Sequence, residues 1–227
     1  MLSKVRHPNI VIVLGICSQT SSLIYEYLPN GNLEERLVRK SNTPPLSWQV
    51  RIRILIEQRS VLIYLHSCEP HAIVHADVKT GNIILDANNV SRLGDFGTSR
   101  KIRQDTSEQA VLCHQTTPVG TVGYMDPTFL TSGYLTPQSD VYSFGIVILR
   151  VLTGLPVLKI AHQVEEGLRM GALCQILDTS AGDWPIVQTE QLLRLALRCC
   201  STEQESRPSL VSNDWRTLEI LAAMAGN

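Results

Sequence analysis

The chain has 227 residues, 20 Lys plus Arg against 21 Asp plus Glu, a formal charge of −1 and 44% apolar side chains. That suffices for one helical domain with a core, or at most two small ones. Near-neutrality excludes the basic footprint of nucleic-acid and membrane-surface proteins, and no apolar run approaches the roughly 18 residues of a membrane span.

Lys4 and Arg6 ahead of the apolar run 10–17 imitate a short signal peptide. Pro8-Asn9 and the missing small-x-small cleavage site favour a buried strand instead. Residues 10–17 and 22–28 are β-branched or aromatic runs, and Ser18-Gln19-Thr20-Ser21 between them predicts a hairpin. Pro29-Asn30-Gly31-Asn32 breaks the chain, with Asn32 placed to cap a helix over 33–39. A Pro44-Pro45 loop follows. Ser47 then caps a long helix over 48–66, whose apolar residues (Val50, Ile52, Ile54, Leu55, Val61, Leu62, Leu65) are interrupted by Glu57-Gln58-Arg59. Residues 73–75 and 83–85 read as short extended pieces, with a turn over 86–89.

From 95 to 127 no period is sustained, and a loop of about thirty residues in a compact domain is functional or disordered. Its basic cluster, Arg100, Lys101 and Arg103, reads as a solvated loop, and Cys113 and His114 receive no metal role. Residues 138–153 are apolar on nearly every side, as in a helix at a domain's centre. Gly154-Leu155-Pro156 stops them, and 162–177, 188–200 and 213–224 predict further helices. Six scattered cysteines, with no C-x-x-C pair and no metal spacing, read as reduced thiols of an intracellular, cytoplasmic protein.

Three polar segments stand in a fixed order: His75-Ala76-Asp77-Val78-Lys79-Thr80-Gly81-Asn82, Asp95-Phe96-Gly97, and Gly120-Thr121-Val122-Gly123-Tyr124-Met125-Asp126-Pro127. The set resembles the eukaryotic protein-kinase family, with its H-R-D-x-K-x-x-x-N, D-F-G and G-T-x-x-Y-x-x-P-E segments. A lone D-F-G is a weak signal, whereas the ordered set is specific. Taken singly, Asp77 could be a turn residue, Lys79 a surface charge, Asn82 a cap, and His75 a packed support.

The resemblance implies an α+β, mainly helical fold. Residues 29–227 would form a kinase C-lobe, and 1–28 a two-stranded remnant of the N-lobe sheet with the end of helix C and the hinge. It implies ATP and Mg²⁺ as cofactors and protein Ser/Thr as acceptor, with Asp77 as base, Lys79 on the transferred phosphate, and Thr121 bracing both. Asn82 and Asp95 would ligate Mg²⁺, a hard cation suited to oxygen donors. The backbone of Glu26 and Leu28, after a gatekeeper Tyr25, would hold adenine over Ile84. Asp140 would hold the catalytic-loop backbone; its bland reading is a helix N-terminal charge. Leu2-Ser3-Lys4-Val5-Arg6-His7-Pro8-Asn9, 177–184, 195–200 and Asp214-Trp215-Arg216 resemble plant receptor-like cytoplasmic kinases, particularly kinase domains carried by U-box ubiquitin ligases. That adds ubiquitin-ligase machinery as a partner class.

Three departures stand out. The glycine-rich loop and strand lysine are absent, which reads as N-terminal truncation and leaves an open sheet edge; residues 1–28 are expected to dock on the helical lobe but stay mobile, or else to drive self-association. Ala76 replaces the family's Arg, and Thr128 its Glu, so Arg207 is expected to lack a carboxylate partner. The readings carried forward are a serine/threonine kinase impaired by truncation, an inactive kinase-like binding module tied to a ubiquitin ligase, and a purely structural helical domain. The last leaves the ordered polar sets unexplained.

Overall fold

The run 48–66 folds as one helix, α2 (Trp48–His66), with the Ser47 hydroxyl accepting from Val50 N–H. This computed structural model describes residues 5–103 and 114–226. The polar triplet inside α2 is turned inward. Gln58 is buried and donates to Ser91 Oγ at 2.8 Å, and Glu57 accepts from both Ser91 N–H and its hydroxyl. Arg59 donates to the Leu210 carbonyl and lies over the Trp215 ring. The triplet interrupts the apolar stripe because it ties α2 to its neighbours.

At the centre runs α4 (Pro137–Thr153), buried at every residue from 143 to 153 and closed by Gly154 at φ +68°. A helix so apolar is stable only when covered on all sides. One cover is α7 (Ile186–Cys199), and it crosses at Gly145 because a side chain there would lie 2.7 Å from Cys199 Cβ and 2.9 Å from the Ala196 carbonyl. Trp215, fully buried, stacks on Phe144. It leads into α8 (Arg216–Ala225), which packs on α2. Shorter helices α1 (Leu33–Leu37), α3 (Pro127–Ser132), α5 (Ile160–Arg169) and α6 (Leu173–Ile176) complete the helical part. Among the described residues no helix is long and apolar enough to cross a membrane.

Among the described residues the strands form four two-stranded antiparallel sheets: β1 (Val13–Cys17) with β2 (Ser22–Tyr25), β3 (His71–Val74) with β6 (Arg100–Arg103), β4 (Ile83–Leu85) with β5 (Ser91–Leu93), and β7 (His114–Gln115) with β8 (Tyr134–Leu135). The first hairpin is tied to β5 by Val11 N–H to the Leu93 carbonyl, Leu93 N–H to the Asn9 carbonyl, and the Asn9 side chain on the Ser91 carbonyl. Its apolar side chains stay outside, Leu14 at 65% and Ile16 at 73% exposure.

Several expectations need correction. The helix foreseen over 162–177 is two, α5 and α6, because Gly171 at φ +68° ends the first. The helix foreseen over 33–39 stops at Leu37, and 213–224 opens as a 3₁₀ turn (Asn213–Trp215) before α8. The basic cluster at 100–103 is strand β6, with one buried apolar residue, Ile102, too little for a period to register. Cys113 lies outside the described residues.

Arg207 does have its carboxylate. Asp126, one residue before Pro127, accepts from both Arg207 terminal nitrogens at 2.7 and 2.9 Å, and both side chains are fully buried. Gln204 and Thr128 N–H complete the Asp126 shell, and the Tyr142 ring faces the guanidinium. Thr128 instead donates to the Thr202 carbonyl. Spatial position, not the slot after the proline, selects the partner. Asp126→Ala should therefore cost about 3–5 kcal/mol in chemical denaturation, since it strands a buried guanidinium. Burial raises the Asp126 carboxyl, but Arg207 outweighs it and holds it below the ordinary range. The pair's stabilisation should be complete at neutral pH and be lost as pH falls below the usual carboxylate value.

Candidate active site

Strand β3 delivers His75, Ala76 and Asp77 onto the N-terminal turn of α4. Asp140 there is 0% exposed. Its carboxylate accepts from His75 N–H at 2.8 Å and Ala76 N–H at 2.9 Å, and meets His66 Nε2 at 2.9 Å. Ala76 sits at φ +67°, which strains a residue with a side chain. Two amides on one buried carboxylate over-determine that conformation.

His75 is buried and bridges two segments. Nε2 lies 3.0 Å from the Gly94 carbonyl, so it must donate, which leaves Nδ1 to accept from Asp77 N–H at 3.3 Å. Burial pushes its pKa down, which favours the neutral ring this arrangement needs. Phe96 packs edge-on against it at 4.7 Å.

Three predicted residues, Lys79, Thr121 and Asn82, meet Asp77 directly. Lys79 Nζ lies 2.7 Å from Asp77 Oδ2 and donates to Thr121 Oγ1 at 2.6 Å, while Thr121 donates to Asp77 Oδ1 at 2.8 Å. Asn82 Nδ2 donates to the Asp77 carbonyl and to Oδ2. Burial raises the Asp77 carboxyl, but hydrogen bonds from Lys79 and Thr121 and the ammonium charge reverse this and hold it below the usual range. Because the Asn82 nitrogen is committed to Asp77, its Oδ1 is left without a partner among the described residues.

Asp95 joins through the backbone: Gly94 N–H donates to the Asn82 carbonyl at 2.8 Å. Asp95 is exposed, at φ +55°, with Oδ1 accepting from Gly97 N–H.

Among the described residues, Glu26, Leu28 and Ile84 make no side-chain hydrogen bond or ion pair to the Asp77 group. Glu26 N–H donates to the Ile12 carbonyl, and its carboxylate accepts from Ile12 N–H and Arg92. Leu28 is buried. Ile84 pairs across the sheet with Arg92, and its tip would stand 3.3 Å from a side chain at Gly94, beside Asp95. Burial, then the Asp95 charge, raises the Tyr25 phenol.

Sequence reading missed Glu34, Thr80, Tyr124 and Arg150, which bond to one another beneath the site. One signal was available. Arg150 is the one cation of α4 and stands in its buried, mostly apolar C-terminal half, and such a charge demands a partner.

Thr121→Val should raise the Asp77 carboxyl pKa toward its ordinary value. Side-chain ¹³C NMR titration of Asp77 checks this: the native inflection is expected below the usual carboxylate range, and the variant's above the native one.

The protein kinase domain model matches residues 1–216. The chain is 52% identical over 226 residues to U-box domain-containing protein 33 of Arabidopsis thaliana, covering 100% of this chain and 27% of that protein. It is 49% identical over 221 residues to U-box domain-containing protein 70 of Oryza sativa subsp. japonica, covering 97% and 28%. The chain thus spans about a quarter of the length of these relatives. A helical fold with small two-stranded sheets, the ordered cluster around Asp77, and a family model matching nearly every residue lead to one statement: the chain belongs to the protein kinase domain family, with the fold of a kinase C-lobe and a remnant of the N-lobe sheet.

Proposed function

We propose that this site transfers the γ-phosphoryl group of ATP to Ser or Thr hydroxyls of proteins. The observation that carries the reading is the closed cluster of Asp77, Lys79, Thr121 and Asn82. Phosphoryl transfer asks little covalent work of a protein and depends on positioning and charge neutralisation.

Magnesium-ATP, the family's usual cofactor, would supply the transferable group and neutralise its charge. The residues present fit it: the uncommitted Asn82 oxygen and the exposed Asp95 carboxylate are hard donors suited to Mg²⁺. Asp77, held ionised, would accept the acceptor hydroxyl's proton as its oxygen bonds to the γ-phosphorus and the bond from that phosphorus to the bridging β-phosphate oxygen breaks, so that ADP leaves. Lys79 would set its charge against the transferring group, and Thr121 would keep both side chains in register. On the hinge side, the Glu26 and Leu28 backbone would hold the base above Ile84. We also propose that residues 1–28 and 29–227 are the N-lobe and C-lobe portions.

Protein substrates are the expected partners, and the relatives' names suggest work alongside ubiquitin-ligase machinery. A second reading, a kinase-like docking module without transfer, draws support from the exposed apolar hairpin and from Ala76 in the catalytic loop.

Purified protein incubated with Mg-ATP and a mixed Ser/Thr peptide set should give phosphopeptide. Asp77→Asn should lower the rate at least about 10²-fold. Asp95→Ala should abolish the Mg²⁺-dependent rise in Tm with ATP. Absence of both transfer and a Tm shift in the native protein would leave the docking reading.

A further inference from the structure

Thr80 sits between Lys79 and Gly81, in the 3₁₀ turn Thr80–Asn82, and is 1% exposed. Its hydroxyl lies 2.6 Å from Glu34 Oε2 and 2.6 Å from the Tyr124 hydroxyl. A carboxylate can only accept, so the single Thr80 proton points to Glu34, and Tyr124 must be the donor to Thr80. Arg150 reaches Glu34 from the other side, Nη2 to Oε1 at 2.7 Å and Nε to Oε2 at 3.2 Å. The result is a directional chain, Tyr124 to Thr80 to Glu34, closed by a guanidinium. Hydrogen bonds ending on a charged acceptor strengthen one another.

Each end is fixed. Arg150 Nη1 donates to the Gly154 and Leu155 carbonyls. The Tyr124 carbonyl accepts from Ser143 of α4, and Tyr124 N–H closes a turn on the Thr121 carbonyl. Glu34 lies on α1, whose Asn32 cap makes a bridge to Ile84. Burial raises the Glu34 carboxyl, but the hydrogen bonds from Arg150 and Thr80 outweigh it and keep it ionised.

Two bridges therefore join the same pair of turns. Above, Lys79 meets Thr121; below, Thr80 meets Tyr124. The upper bridge is part-buried, on the side where the proposed function puts substrate, whereas the lower one is buried. We infer that Glu34 and Thr80 are positioning residues for the phosphotransfer proposed above: they fix the spacing between the turn carrying Asp77 and Lys79 and the turn carrying Thr121. This inference rests on that functional reading. A displacement of about 1 Å between reacting groups can cost on the order of 10²-fold in rate.

The test compares Thr80→Val, which keeps the shape and removes the hydroxyl, with Thr80→Ser, which restores it. Glu34→Ala strands buried Arg150 and can fail to fold, so the threonine pair carries the decision. Kinetics are measured with Mg-ATP and the mixed peptide set, and amide hydrogen exchange is followed over 79–82 and 121–125 in the same proteins. Thr80→Val is expected to lower kcat about tenfold or more, with KM for ATP within about twofold, and Thr80→Ser to recover most of the loss. Exchange should rise in both turns together in the valine variant alone. A folded Thr80→Val protein with native kcat overturns the inference. If the native protein transfers no phosphate, the functional reading fails by itself. Exchange then decides the coupling: native-like protection in Thr80→Val refutes it, and joint loss restored by serine supports it.

Discussion

One buried carboxylate sets the frame. Asp140, wholly removed from water, satisfies His75 and Ala76 N–H and the His66 ring. Leaving such a group unpaired in the interior would cost several kcal/mol, and so would leaving the two amides unpaired. The pairing is therefore close to obligatory, and it forces Ala76 into a left-handed conformation that an alanine does not choose. That twist turns Asp77 toward Lys79, Asn82 and Thr121. The Asp77 cluster is a consequence of the Asp140 one.

The same helix governs the rest of the site. Along α4, Asp140 holds the His75–Ala76 backbone, Ser143 holds the Tyr124 carbonyl, Arg150 holds Glu34 of α1, and the Val151 carbonyl receives Arg51 of α2. Loops are ordinarily the mobile parts of a domain, and here each is fastened to the most deeply packed element. Asp126 and Arg207 extend this to the end of the Gly120–Pro127 segment, where a buried ion pair secures the start of α3. A side chain that closes this pair from a neighbouring position keeps the geometry although the usual residue is changed.

Much of this was legible in the amino-acid order. Helix α2 and its Ser47 cap were read with the observed bounds because capping and a long apolar run agree. The Asp140 contact followed from the family resemblance. Less legible were features set by space rather than by neighbours in sequence. Gly171 breaking α5 from α6 looks like any interior glycine until its φ is known. Strand β6 carries one buried apolar residue, and its pairing with β3 spans thirty positions. The Asp126–Arg207 pair was misread because a slot in a motif was taken for a position in space. The Glu34–Thr80–Tyr124 chain escaped because hydroxyls and a surface-looking glutamate give no periodic signal; only the solitary Arg150 hinted that an anion must be near.

The proposed phosphotransfer requires segments 75–82 and 94–97, fastened through Asp140 and His75, to present Asn82 and Asp95 to one divalent cation carried by a nucleotide. Paramagnetic relaxation with Mn²⁺ in place of Mg²⁺ tests it directly. On adding Mn-ATP to isotopically labelled protein, resonances of Asn82 and Asp95 should broaden first, with Asp77 close behind and α7 and α8 untouched. Broadening confined to one of the two ligands, or spread over surface carboxylates far from α4, would contradict it.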